Sequence, residues 1–161
     1  MKRCLALAMF VLAAGGVHAA GTVQVTFVEP ERFADVRDRA RTSEEHLATL
    51  ERVLVETASP HVPDGRTLKI EVLDVDLAGE VRPGLRAWDL RILTGRADWP
   101  RITLRWTLDG PTPGTAKSGE AVVQDMAYLQ RVAPPLADSG LIYERRMLDE
   151  YFRKEFAKAI G

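Results

Sequence analysis

The sequence predicts an α+β fold: a two-layer sandwich of one mainly antiparallel sheet of about five strands, with two amphipathic helices on one face. Three observations predict it. Several runs alternate apolar and polar residues with period two, as half-buried strands do. Two segments carry an apolar stripe at helical spacing. The connections between the later strands have hairpin length, which favours antiparallel neighbours.

The chain opens with a secretory pattern. Lys2 and Arg3 form a positive n-region, Leu5 to Ala14 is apolar and uncharged, and Val17-His18-Ala19 offers small residues to a signal peptidase. Residues 1–19 therefore read as a cleavable signal peptide, cut after Ala19, with Ala20 as the alternative. The apolar run is about half the length needed to span a bilayer, which argues against a permanent transmembrane segment. Cys4 precedes the apolar run, whereas a lipid-modified cysteine would follow it, so it leaves with the leader. Residues 20–161 then form a single α+β domain without disulfide, thiolate metal site or thiol nucleophile. The net charge of −1 becomes more negative by the loss of Lys2 and Arg3. Such a surface offers no electrostatic reason to bind nucleic acid.

Thr22 to Val28 alternates, with Val23, Val25 and Phe27 on one face, and reads as the first strand. Glu29-Pro30 ends it, and a charged connection follows, anchored by Phe33 and Val36. Thr42 with Glu45 three residues on signals a helix start. Leu47, Leu50, Val53, Leu54 and Ala58 form its apolar stripe, and Pro60, Pro63 and Asp64-Gly65 close it.

Arg66 to Ala78 is the second strand. Leu68, Ile70 and Val72 share one parity, and Leu73, Val75 and Leu77 share the other. Either a β-bulge keeps one continuous apolar face or both faces are buried in turn. The bulge is favoured, because it sets Lys69, Glu71, Asp74 and Asp76 on one polar face. Arg86 to Thr94 and Arg101 to Asp109 read as a hairpin. The pairing of opposite charges selects a register with Asp89 across from Arg105. Gly110 to Gly114 is a turn, Ala116 to Tyr128 the last strand, and Ala133 to Gly140 a Pro-rich loop. Glu144 to Ile160 is the second helix, with Leu148, Phe152, Phe156 and Ile160 on its apolar face. The later strands are expected to form an antiparallel meander.

Few residues suggest chemistry. Asp74 and Asp76, with Gly79 and Glu80 nearby, could hold Ca²⁺ or Mg²⁺ through oxygen ligands. The plainer reading makes them solvated or paired with Arg82, Arg86 or Arg91, and no metal or cofactor is expected. His46 and His61 lack a His-x-x-x-His partner, and no serine lies in a nucleophile elbow. Arg91, Arg101 and Arg105 share the polar parity of the expected hairpin. Arg91 and Arg105, with Trp99, are the candidate docking residues for an acidic partner. Trp99 either folds back over the sheet or is an exposed contact.

Four stretches carry a family resemblance: "ERFADVRD", "LDVDLAG", "WDLRILTGRADWPRITLRW" and "YERRMLDEYFRKEF". With them the chain resembles the bacterial domain of unknown function 3016 family over nearly all of residues 20–161. The resemblance implies an exported protein of Gram-negative bacteria with no settled activity and supplies no catalytic residues. It directs attention to Asp35, Asp74, Asp76, Gly79 and Arg91, which sit in the shared motifs. The leading expectation is a soluble periplasmic, non-catalytic binding or interaction protein of the Gram-negative envelope, with an unknown envelope component as partner. The alternatives are a metal-dependent hydrolase using Asp74 and Asp76, and a structural or folding-assistant envelope protein.

Overall fold

The computed structural model describes residues 20–35, 43–82, 90–110, 112, 114–131 and 141–157. The expected leader and its cleavage site at Ala19 lie outside these, as do Val36, Thr42, Arg86, Asp89 and Ile160.

Strand β1 (Thr22–Phe27) leads through a 3-10 turn at Pro30–Arg32 towards helix α1 (Ser43–Ala58), and strand β2 (Thr67–Asp76) follows. Because a helix lies in the connection, β1 and β2 pair in parallel, with Thr22 beside Thr67 and Phe27 beside Val72. Strand β3 (Glu80–Arg82) and strand β4 (Leu90–Ile92) form a separate antiparallel ribbon. Strand β5 (Arg101–Leu108) returns to the main sheet, strand β6 (Lys117–Gln124) follows it, and helix α2 (Ile142–Ala157) comes last. The main sheet runs β1-β2-β5-β6.

The fold class is as the sequence predicts: one mainly antiparallel sheet and two helices. The expected order of the later strands is not. Residues 90–92 do not pair with 101–109; β5 lies between β2 and β6, so both of its edges are taken. The expected Asp89–Arg105 register is therefore wrong. Arg105 sits across from Glu71 on β2 and Glu120 on β6, and bonds both carboxylates at 3.1 and 3.2 Å. Opposite charges do face one another across the ladder, with partners on β2 and β6. The side chains of Ile102, Leu104, Trp106 and Leu108 are all buried on one face of the sheet.

The bulge in β2 is present. Its register with β5 shifts between Val72 and Asp74, leaving Leu73 as the extra residue. Leu68, Ile70, Val72, Val75 and Leu77 are all buried as a result, while Lys69, Glu71, Asp74 and Asp76 face the other way, exposed or partly so.

The buried face of the sheet meets both helices in one core. Leu50, Val53, Leu54 and Ala58 come from α1, and Met147, Leu148, Phe152 and Phe156 from α2. Phe156 meets the Trp106 indole edge-on at 5.1 Å and stacks on Phe152 at 5.9 Å, geometries that aromatic quadrupoles favour. The indole N–H of Trp106 donates to the Tyr151 hydroxyl at 3.0 Å, so this large ring leaves no bare donor. Across from Trp106 stands Gly119, where a Cβ would lie 2.9 Å from the indole; only hydrogen fits there.

Candidate functional site

Two regions of the surface could carry function. The first is a polar junction at the end of β2, where all four motif stretches meet. Asp35 follows the first 3-10 turn, and its backbone N–H donates to Val75 O at 2.9 Å. Its carboxylate takes two bonds from Arg91, Nη1 at 2.6 Å and Nη2 at 3.1 Å. The same guanidinium donates to Gly79 O at 3.2 Å. Gly79 turns the chain with φ near +87°, and its N–H donates to Asp98 O at 2.8 Å. A Cβ at Gly79 would lie 2.8 Å from Ile92 O, so glycine is also what lets the ribbon approach. From the other side Glu144, in the first turn of α2, accepts the Ala78 N–H at 2.7 Å.

Glu144 was not legible as a site residue. An acid in the first turn of a helix is a routine partner for the helix dipole, and nothing in the sequence says that this one is buried. Burial pushes its carboxyl above the usual range, against the pull of the Ala78 N–H and the positive charge of Arg91. The effect of this junction is mechanical: it ties the segment after β1, the end of β2, the ribbon and α2 together.

The expected metal candidates stand on the rim of this junction. Asp74 accepts the Ala34 N–H at 3.0 Å. Asp76 faces Arg101 at 3.4 Å, and burial raises its carboxyl, with Arg101 opposing and Asp35 and Asp74 adding to the rise. Among the described residues no three His, Cys, Asp or Glu side chains converge to hold an ion. Of the candidate docking residues, Arg91 is bound into the junction, Arg105 lies on the outer face of the main sheet between two glutamates, and Trp99 is half-buried between Asp98 and Pro100. The structure does not unite the three in one patch, because the hairpin that would have joined them does not form.

The second region was missed. It is the outer edge of β6 and the groove between it and α2. The groove holds about 280 Å³ and is floored by Val123, Met147 and Tyr151. Arg131, Glu150 and Lys154 form its rim. Arg131 and Lys154 bond Glu150 at 2.6 and 2.7 Å, and these two donors hold its carboxyl down to about 2.

The ladder shows which backbone groups of β6 are spent. The Asp125 N–H donates to Pro100 O at 3.3 Å, continuing the register that sets Gln124 beside Arg101 and Lys117 beside Leu108. Antiparallel ladders alternate bonded and non-bonded pairs. Residues 117, 119, 121 and 123 thus turn their N–H and C=O to β5, and Ser118, Glu120, Val122 and Gln124 turn theirs outward. Among the described residues no strand pairs with that edge. Two large apolar side chains stand open beside it, Val122 at 57% exposure and Met126 at 60%. Alternation alone marks a strand without saying whether it ends a sheet, so no sequence signal identifies β6 as an edge.

A family model described as a protein of unknown function (DUF3016) matches residues 21–154. No curated protein and no solved structure matches the chain.

Proposed function

This chain belongs to the DUF3016 family of proteins of unknown function, and on that premise we propose that it is an exported, non-catalytic interaction protein of the Gram-negative envelope that makes contact through the edge of β6. One observation carries the reading: a row of outward backbone donors and acceptors, from Ser118 to Gln124, runs beside a groove with a charged rim and two exposed apolar side chains. Unpaired strand edges are adhesive, and proteins that have no use for one blunt it with charge, proline or a bulge. Here Lys117 and Glu120 are the charged side chains of β6, and Glu120 already faces Arg105. The ionisable groups of the polar junction, by contrast, are engaged in bracing the chain. Export is supported by the leader-like pattern of residues 2–19.

The test is photocrosslinking in the periplasm, with a photoreactive residue at position 122 and, separately, at position 69 on β2. The reading expects a protein adduct from position 122 and none from position 69. Absence of any adduct from position 122, or a hydrolytic activity abolished by Asp74→Asn with Asp76→Asn, would overturn it.

A further inference from the structure

We propose that the partner on the β6 edge is a second copy of this chain, paired antiparallel about a two-fold axis at Val122. The inference rests on the reading above that this edge is the contact surface, and it names the occupant. An edge that meets its own copy must be self-complementary under a two-fold rotation, so that every residue i facing j also has j facing i.

On β6 an axis at Val122 also matches the side chains. With the axis at Val122, the outward-bonding residues pair as Val122 with Val122 and Glu120 with Gln124. The exposed apolar side chain at the centre meets its own copy. The glutamate meets a neutral amide that can donate to it. Moving the axis to Glu120 would bring two carboxylates face to face, which cross-strand pairing disfavours. Moving it to Ala121 would set Val122 against the Glu120 carboxylate.

The other face of the strand agrees. At the Val122 register Ala121 of each copy lies beside Val123 of the other, on the side that looks into the groove. The apolar floor of Val123, Met147 and Tyr151 would then be covered by small apolar side chains instead of water. The outward backbone groups of Glu120, Val122 and Gln124 would find partners in the same step.

On β1 the exposed side chains are Thr22, Gln24 and Thr26, all polar, and Val23, Val25 and Phe27 are partly buried against the core.

Sedimentation equilibrium and disulfide trapping test the pairing. The purified chain is expected to sediment as a dimer that dissociates on dilution. Val122→Lys, a change at an exposed position, is expected to raise the dissociation constant about tenfold or more with an unchanged far-UV spectrum. In a Cys4→Ser background, Val122→Cys is expected to form a covalent dimer under mild oxidation. Bonded antiparallel partners stand about 5.5 Å apart at Cα, within disulfide reach. Glu120→Cys is expected to crosslink at least about tenfold less, because its two copies would lie four residues apart along the strand, roughly 13 Å. A monomer at all concentrations, a dimer indifferent to Val122→Lys, or equal trapping at positions 120 and 122 would overturn the inference. A monomer that still yields a foreign envelope adduct from position 122 would overturn this inference and leave the reading of the surface standing. Loss of both would overturn the two together.

Discussion

Asp35 and Arg91, 56 positions apart in the chain, form a two-pronged ion pair that closes the polar junction, with Nη1 2.6 Å from one carboxylate oxygen and Nη2 3.1 Å from the other. Both side chains are about one-fifth exposed, at 18% and 24%. Removing one partner strands the other in a largely dry place. Asp35→Ala and Arg91→Ala are each expected to lower stability by about 2–3 kcal/mol, somewhat less than for a fully buried pair. The double variant should cost clearly less than the two added together, by about 1 kcal/mol or more. Arg91→Lys should not rescue, because one ammonium cannot serve two carboxylate oxygens and the Gly79 carbonyl in a fixed fork. Urea denaturation of the parent and the four variants measures all of this, and strict additivity would show the pair to be uncoupled.

Glu144 gives the fold a pH dependence whose sign follows from its burial. Its carboxyl is raised above the ordinary value of 4.5, so the folded chain keeps a proton that the unfolded chain releases. Stability therefore falls as pH rises through the window between 4.5 and the folded value, by at most about 1.4 kcal/mol per pH unit for a single proton. Glu144→Gln keeps an acceptor for the Ala78 N–H and does not titrate. Thermal melts at a series of pH values should show the variant gaining on the parent as pH climbs above 4.5, with little difference below. A pH-independent gap would mean that Glu144 titrates alike in the folded and unfolded chain.

Gly119 is required by its cross-strand neighbour and not by its own backbone. A Cβ there would sit 2.9 Å from the Trp106 ring, which is wedged between Phe156 and the sheet. Gly119→Ala is expected to cost about 1–3 kcal/mol by overpacking and to change the near-UV signal of the tryptophans. Gly114→Ala tests the opposite case: its φ of +83° penalises a side chain by conformation, with open space around the Cβ. A neutral Gly119→Ala would show that the indole can move aside.

Asp74 and Asp76 are expected to behave as structural acids. Asp74 is tied to the Ala34 N–H and Asp76 lies beside Arg101. Millimolar Ca²⁺ or Mg²⁺ should leave the melting temperature unchanged, whereas an ion held only by the folded state would raise it by mass action. Asp74→Asn should be mildly destabilising through the lost charge-assisted bond, by about 1 kcal/mol. A cation-dependent rise in melting temperature that Asp74→Asn removes would return these residues to the metal reading.

Part of this protein was legible residue by residue. The apolar faces of β1, β2 and β5, the bulge after Val72 and the stripes of both helices follow from side-chain periodicity, a property of one segment of chain, whereas β3 and the exposed Ile92 of β4 do not. Phe33 as an anchor followed from an isolated aromatic in a charged stretch. Neighbours were not legible in the same way. Arg105 could be matched to any acid of the right parity, and Glu71, Glu120 and Asp89 all qualify on paper. Only the assembled sheet, in which β5 must be covered on both sides, makes the choice.

The local pattern thus determined which residues turn inward, because a chain of fixed pitch presents its faces before it has any partners. The tertiary structure decided what lies beside what: the parallel pairing of β1 with β2, the departure of β3 and β4 into a ribbon, the buried Glu144 under Ala78, and the strand left at the edge. Those outcomes depend on filling one core and satisfying every backbone group at once, a condition on the whole chain that no single window of sequence expresses.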